Sequence, residues 1–572
     1  MLLHKLSLVK RINLRIVTRR NFAAEVTKAD DVSSRDTIEP SINRQTQPFV
    51  NPITPTTPRI KLDMEKQVFR PSSVASFDDI PGPISLYLLS KLWSVIPVAG
   101  TEMTAKMIQY ILSAGKLFGN VLSWGNPYFQ GLFNKFFVVY GPVVRLRGPF
   151  GGDLVLLNRP EHARILFSTE VAYPMRANLD CIEKYCLDTK KYRHTGLFIM
   201  NGTEWEKGRE LLKRPLQDAV VKQADAVDEI CDEFLLRIMS IRNGQLEMPA
   251  TFRDEIYKWS LECLCSTMLN ERLGFLDPCG LTRSSDAGVL LNGLKGASDA
   301  VQRCELGLHL WKFMETPAWK SLVRNCDSVV SVLDKHIQRS QFCLKTKTEQ
   351  VKPEDLSLIE TMLLKEGVKP EDVLTIVLDM FLVGVNATTH AVAFMLYHLS
   401  KSPRCQQNLQ DELTKEENTP KERLYKLPYM QACIKEVLRL KPSIPFLTRI
   451  TNNDVVIHNY AIPKGTHVMV ATRISSLKEE HFEDAHKFLP ERWLKPELGL
   501  INKDLKDFAC MPYGYGAREC IAKELAEMQI ALLISKVLKK FRVEYYYADI
   551  NSTNKLFALP DKPLRFRFVE RM

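Results

Sequence analysis

The sequence contains no C-x-x-C pair, and its thirteen cysteines are odd in number and scattered over 572 residues. A disulfide scaffold is therefore excluded. The closest two, Cys263 and Cys265, would point apart on a helix, so structural zinc has no support. No phosphate-cradling Walker loop occurs, and Gly514-Tyr515-Gly516 lacks the third glycine of a dinucleotide fingerprint. No acidic residue precedes Glu25. Internal repeats are absent, and only one stretch has linker composition, which leaves one large folded body rather than an array.

What is present is ordinary globular material, 45% hydrophobic and 25% charged, enough to bury a large core. The formal charge is +11, from 78 Lys and Arg against 67 Asp and Glu. Six of the basic residues, Lys5, Lys10, Arg11, Arg15, Arg19 and Arg20, lie in the first twenty positions, and removing those six leaves +5. The excess is largely a leader effect, and nucleic acid is not an expected partner. Leu2, Leu3, Leu6, Val9, Leu14, Ile16 and Val17 fall mostly on one side of a helical wheel, with Lys5, Arg11, Arg15 and Arg19 opposite. Residues 1–29 read as a mitochondrial presequence. The alternatives are a solvated basic tail or a helix lying on a membrane surface.

Residues 30–77 hold Pro40, Pro48, Pro52, Pro55, Pro58 and Pro71 among Ser, Thr, Asn and Gln, which is linker composition. Residues 78–572 read as a single large domain entered at Ile80-Pro81-Gly82-Pro83. Short strands are expected at 143–146 and 154–157 around Gly148, Gly151 and Gly152, with Pro160 opening a helix. Helical periodicity dominates 200–440, strand character returns over 445–470, and a helix follows at 520–540. The expected fold class is mainly α with small β-sheets. Met380 to Ser400 carries no charge and is long enough to span a bilayer. Asn386, Thr388, Thr389, His390 and His398 would be costly in lipid. A buried central helix bracketed by Pro370 and Pro403 explains the run better.

One cysteine has distinctive surroundings. Pro512-Tyr513-Gly514-Tyr515-Gly516-Ala517-Arg518-Glu519-Cys520-Ile521-Ala522 combines a tight glycine loop with a following helix N-terminus, which would stabilise a thiolate. The other twelve are taken as small buried hydrophobes. The stretch from Tyr513 to Ala522 resembles the haem-binding loop of the cytochrome P-450 family. Tyr513 stands where Phe is usual and Ala522 where Gly is commoner; Gly516, Arg518 and Cys520 match. The resemblance implies haem b with a cysteine thiolate as axial iron ligand, here Cys520, which favours O–O cleavage. Arg518 would pair with a haem propionate.

Further matches follow in order. Glu436-Val437-Leu438-Arg439 is similar to the family's E-x-x-R, a pair that meets on one helix face, 81 residues before Cys520 counted from Arg439. Arg492, in Pro490-Glu491-Arg492-Trp493, would complete a buried Glu–Arg–Arg cluster under the haem. Trp205 and Arg209 resemble the W-x-x-x-R whose members hold a propionate, and Arg449 stands where another propionate-binding arginine is expected. Tyr173-Pro174-Met175-Arg176 and Thr316-Pro317-Ala318-Trp319-Lys320 resemble signatures of the animal mitochondrial clan. That clan implies a small acidic [2Fe–2S] ferredoxin with its NADPH-dependent reductase as electron source, O2, a lipophilic substrate such as a steroid, an ecdysteroid-like sterol or a xenobiotic, and peripheral contact with the matrix side of the inner membrane. Lys435 and Lys441 are the candidate ferredoxin contacts. The apolar run of Leu306, Leu308, Leu310, Trp311, Phe313 and Met314 would roof the substrate channel, or form ordinary core.

One departure bears on mechanism. The family's central helix carries a small residue, Gly, any residue, an acid and Thr; this chain reads Val383-Gly384-Val385-Asn386-Ala387-Thr388. Gly384 borders the oxygen site, while Asn386 and Thr388 are the candidates for managing protons. The leading expectation is a mitochondrial monooxygenase inserting one atom of O2. The alternatives are an atypical haem-thiolate enzyme (isomerase, dehydratase or peroxide-driven) and a haem-binding protein without turnover.

Overall fold

Proline marks where the long helices begin. The computed structural model describes residues 74–84, 86–87, 129–147, 153–177, 179–278, 280–306, 309–312, 314–346, 356–495, 505–553 and 558–571. The expected presequence and most of the expected linker lie outside these residues. The helices that concern the site are α1 (Pro160–Ser168), α2 (Gly202–Lys222), α3 (Phe252–Leu269), α4 (Asp286–Leu306), α5 (Pro317–Thr346), α6 (Pro370–Lys401), α7 (Pro403–Lys415), α8 (Pro428–Leu440), α9 (Glu491–Leu494) and α10 (Lys523–Lys540). Proline supplies the first residue of α1, α5, α6, α7 and α8, where its missing N–H costs nothing and its fixed φ suits a helix.

Helix α6 is the axis of the body. Val373, Val377, Phe381, Val392, Phe394, Leu396 and Leu399 are fully buried and spread over more than half of its circumference. It packs against α3, α4, α5, α8 and α10. The uncharged run is therefore a core helix. Two of its polar groups find partners in the protein: His390 Nε2 lies 2.9 Å from the Lys441 carbonyl and the Ser400 hydroxyl donates to Tyr397 O at 2.7 Å, while Thr389 Oγ1 and His398 Nε2 are buried without a hydrogen-bond partner. Each buried Phe or Leu contributes roughly 1.5–3 kcal/mol, so the packing of α6 is a large share of what holds the body together.

The sheets are small, as expected. Strands β1 (Val143–Leu146), β2 (Leu154–Leu157), β3 (Leu447–Ile450), β4 (Val455–Ile457), β5 (Tyr460–Ile462), β6 (His467–Val470), β7 (Phe541–Glu544) and β8 (Arg567–Glu570) make one four-stranded sheet, β1-β2-β6-β3, and two hairpin pairs, β4-β5 and β7-β8. The β1–β2 pair is antiparallel in the register Val143 to Leu157. Strand β6 joins β2 in parallel and β3 antiparallel, with Arg449 opposite Val468. The sheet thereby fixes Arg449 at the edge of the helical body.

In the apolar run before α5, Trp311 is buried and stacks on Trp319 at 5.4 Å between centroids, as core. Met314 is 62% exposed. The side chains of Leu306, Leu308, Leu310 and Phe313 lie outside the described residues.

Candidate active site

Two glycines shape the loop that carries Cys520. Gly514 and Gly516 adopt φ +80° and +68°, conformations costly for other residues. The Cys520 N–H closes the loop on Tyr513 O at 2.8 Å. Helix α10 starts three residues later, at Lys523. Nine of the twelve described cysteines are buried and Cys343 and Cys510 are half-buried; Cys520 is the one exposed, and what it faces is an internal cavity. Surrounding protein raises its thiol above the usual value, opposed by the Ala522 N–H and by Arg209. A bound metal cation reverses that balance and takes the thiolate outright.

The cavity holds about 1550 Å³ of empty space, the solvent at its mouth included, between the Cys520 loop and α6. Leu197, Leu264, Met380, Val383, Ile444 and Leu447 make its wall mostly apolar. Gly384 borders it, and a Cβ there would meet nothing within 4 Å. The wall of α6 beside it is therefore open toward the thiol loop, a gap suited to a flat ring.

Arginine gathers at one end. Arg518 donates from Nε to Pro174 O at 2.8 Å and from Nη2 to Met200 O at 2.8 Å and Asn201 Oδ1 at 2.7 Å. Its plane lies 4.0 Å from the Trp205 ring centre, and Arg209 flanks the same ring at 5.7 Å. Arg518 Nη1 is buried with no partner. Arg449 is engaged by Glu170, by Thr448 O at 3.0 Å and by Tyr515 O at 3.2 Å. Arg176 donates from Nε to Phe198 O at 2.9 Å. Burial, and then the other guanidiniums, push Arg176 and Arg518 below the usual arginine range. Arginine stays charged even so, which means this end of the cavity calls for anionic groups beyond Glu170. A flat macrocycle with carboxylate arms fits both the gap and the unpaired nitrogen.

The expected cluster forms beside Cys510, just ahead of the Pro512–Ala522 loop. The Glu436 carboxylate accepts from Arg439 Nη2 at 2.7 Å and Nε at 2.8 Å, Arg492 Nε at 3.0 Å, the Leu489 N–H at 3.1 Å and Trp493 Nε1 at 2.9 Å. Glu436, Arg439 and Arg492 are all fully buried. The second positive charge is dispersed over carbonyls: Arg439 reaches Ser476 O and Ala485 O, and Arg492 reaches Glu483 O, at 2.7–2.8 Å. Trp493 as a fifth donor is not deducible from the E-x-x-R spacing.

The proton-handling candidates divide. Thr388 and Ala387 line the cavity with Gly384, whereas Asn386 lines a separate polar cavity with Asp254, Lys295, Ser298, Asp299 and Gln302. Asn386 Nδ2 donates to Ser298 Oγ and Leu382 O, both at 3.2 Å. The split follows from 100° per residue, which sets positions 386 and 388 on nearly opposite faces. Ser260 and Ser443 supply further hydroxyls in the wall, bonded to the α6 carbonyls of Val385 at 3.4 Å and Ala387 at 3.2 Å.

Of the docking candidates, Lys435 is half-buried with Lys506 and Lys523 nearby. Lys441 turns inward: its ammonium donates to Asn551 at 3.2 Å and lies 5.6 Å from the Phe394 ring, and burial pushes it down to about 8. It offers little to a docking face. Glu170, Arg176 and Asn201 are site residues that the sequence reading did not assign. Arg176 had a signal, as the last residue of the Tyr173–Arg176 signature; Asn201 and Glu170 had none.

The cytochrome P-450 family profile matches residues 112–568. Similar chains include the probable cytochrome P-450 301a1, mitochondrial, of Drosophila melanogaster, 30% identical over 90% of each chain. The probable cytochrome P-450 49a1 of the same species is 28% identical over 93% of this chain and 89% of its own. The rat 1,25-dihydroxyvitamin D(3) 24-hydroxylase, mitochondrial, is 29% identical over 71% of this chain and 76% of its own. With its α-rich fold and this family match, the chain belongs to the cytochrome P-450 family, haem-thiolate monooxygenases that carry haem b on a cysteine sulfur.

Proposed function

We propose that the chain is a mitochondrial monooxygenase that takes single electrons from a [2Fe–2S] ferredoxin and inserts one atom of O2 into a lipophilic molecule of steroid-like size. The observation that carries this is the Cys520 sulfur opening onto a mostly apolar cavity whose arginine end retains an unpaired guanidinium nitrogen. When bound, the haem supplies the iron that activates O2. Cys520 would be its ligand, and Arg518, Arg209 and Arg176, with Trp205 as a stacking surface, would hold its carboxylates. Arg449 would take part only by sharing itself between Glu170 and that group. The clan resemblance and the relatives bearing mitochondrial names support the compartment, and the basic leader agrees with it. A 24-hydroxylase of a vitamin D derivative among the relatives supports a large apolar substrate carrying hydroxyls.

The residues would act as follows. Leu197, Leu264, Met380 and Val383 exclude water and grip apolar surface. Gly384 leaves room for O2 beside α6. Thr388, Ser260 and Ser443 are the wall hydroxyls able to hand protons inward, since Asn386 faces the other cavity. Ala387 leaves the usual alcohol position empty, which favours partial loss of electrons to water and peroxide. Ala387→Thr is therefore expected to raise product formed per NADPH consumed by about threefold, read in a ferredoxin-coupled assay. An unchanged ratio would show that the wall hydroxyls already suffice.

Arg518→Gln keeps a polar side chain but removes a buried charge. Charge-assisted bonds contribute about 1.5–3 kcal/mol each, so transfer of haem to apomyoglobin should speed up by about tenfold or more. The haem-loss rate followed by Soret absorbance checks it, and an unaltered rate would remove Arg518 from the cofactor site.

A further inference from the structure

Asp379 is a carboxylate in the chamber wall that the mechanism above does not use. It lies on α6 five residues before Gly384, about 7.5 Å along the helix axis. Its position is built rather than incidental. The Phe198 N–H donates to Oδ2. Gly196 gives the approaching loop its clearance: a Cβ there would come within 2.3 Å of Asp379 Cβ and 2.8 Å of Thr375 O. The side chain is buried yet borders the cavity, beside Leu197, Phe198, Met380 and Val383.

The carboxylate is pinned but not neutralised. No protein donor among the described residues reaches Oδ1, and that atom is not sealed from the cavity. Arg176 is the cation that acts on it, and two of its nitrogens, Nε and Nη2, donate to the Phe198 carbonyl instead of to Asp379. Cys186 is the other titratable group facing it, and its thiol is itself pushed up by burial. Burial raises the Asp379 carboxyl to about 7. A buried acceptor left without a donor is costly, so an occupant of this chamber that brings a donor gains affinity over one that does not.

We propose that Asp379 is the polar anchor of the substrate chamber, its Oδ1 accepting a hydrogen bond from a hydroxyl or ammonium group of an otherwise apolar substrate. This rests on the reading that the cavity opposite Cys520 is where substrate binds. Anchored there, the substrate directs a carbon several bonds from its donor group toward Gly384, which makes Asp379 a determinant of specificity and regiochemistry.

The test uses the full-length holoenzyme at about pH 8, where the carboxylate is mostly ionised, and reads ligand-induced Soret shifts. One probe pair is a monohydroxy sterol and its O-methyl ether. The other is a hindered lipophilic tertiary ammonium and its neutral carbon isostere. The wild type should bind at least one donor probe about tenfold more tightly than its capped partner. Asp379→Leu should reduce that preference to about twofold or less with the carbon monoxide spectrum unchanged. Asp379→Asn, which keeps a carbonyl acceptor, should spare much of a hydroxyl preference and abolish an ammonium preference, identifying the donor. A wild type that distinguishes neither pair, or an Asp379→Leu protein that still does, overturns the proposal. Should the variants fail to hold haem, infrared difference spectra of the wild type decide: a shift of a buried carboxylate stretch with the donor probe alone supports the anchor, and its absence overturns it. A wild type without a thiolate-type carbon monoxide band would instead sink the reading of Cys520, which keeps the two failures distinct.

Discussion

Glu436→Ala should leave little soluble, haem-loaded protein. The carboxylate accepts five hydrogen bonds from two guanidiniums, an indole and a backbone amide, at a site with no water access. Removing it strands two fully buried arginines. Breaking such a pair from one side costs roughly 3–5 kcal/mol, against a total stability of about 5–15 kcal/mol for a typical domain. The damage reaches function because the cluster joins α8, α9 and the 476–489 segment, on which Cys510 packs just ahead of the Cys520 loop. Glu436→Gln should be milder, since the amide oxygen can still accept, but its NH2 would face Arg donors. Urea denaturation and the Soret-to-280 nm ratio measure both. A Glu436→Ala protein within about 1 kcal/mol of wild type would mean that surrounding carbonyls alone solvate Arg439 and Arg492.

Cys520→Ser is expected to have the opposite profile, with an intact fold and lost chemistry. The Cys520 side chain faces the cavity, and among the described residues no other cysteine lines it. Stability without haem should therefore change by only about 0.5 kcal/mol. A serine hydroxyl ionises too weakly to supply the anionic sulfur's electron donation to iron. Monooxygenation should fall below detection, and any haem retained should give a spectrum without the thiolate signature.

Much of this was legible in the sequence because it depends on spacing within one element. Pro370 and Pro403 delimit α6, Glu436 and Arg439 meet through i,i+3 geometry, and Trp205 and Arg209 through i,i+4. The glycine loop before Cys520 is likewise local. What escaped depends on which way a helix is rotated in the body and on what distant segments bring. Periodicity sets Asn386 and Thr388 on opposite faces of α6 but not which face meets the cavity. The partner of Arg449 is Glu170, 279 residues away. Asn201 joins the Arg176 backbone to the Arg518 guanidinium across three separate segments. Lys441, close to Lys435 in sequence, turns inward because Asn551 and Phe394 meet it from elsewhere in the chain.

The most direct test of the central claim is the carbon monoxide difference spectrum of the reduced, full-length protein, wild type beside Cys520→Ser. With Cys520 as the iron ligand, the wild type gives a Soret band strongly shifted to the red and the variant gives none. A wild-type band at the position given by histidine-ligated haem, or a red-shifted band that survives Cys520→Ser, would contradict it.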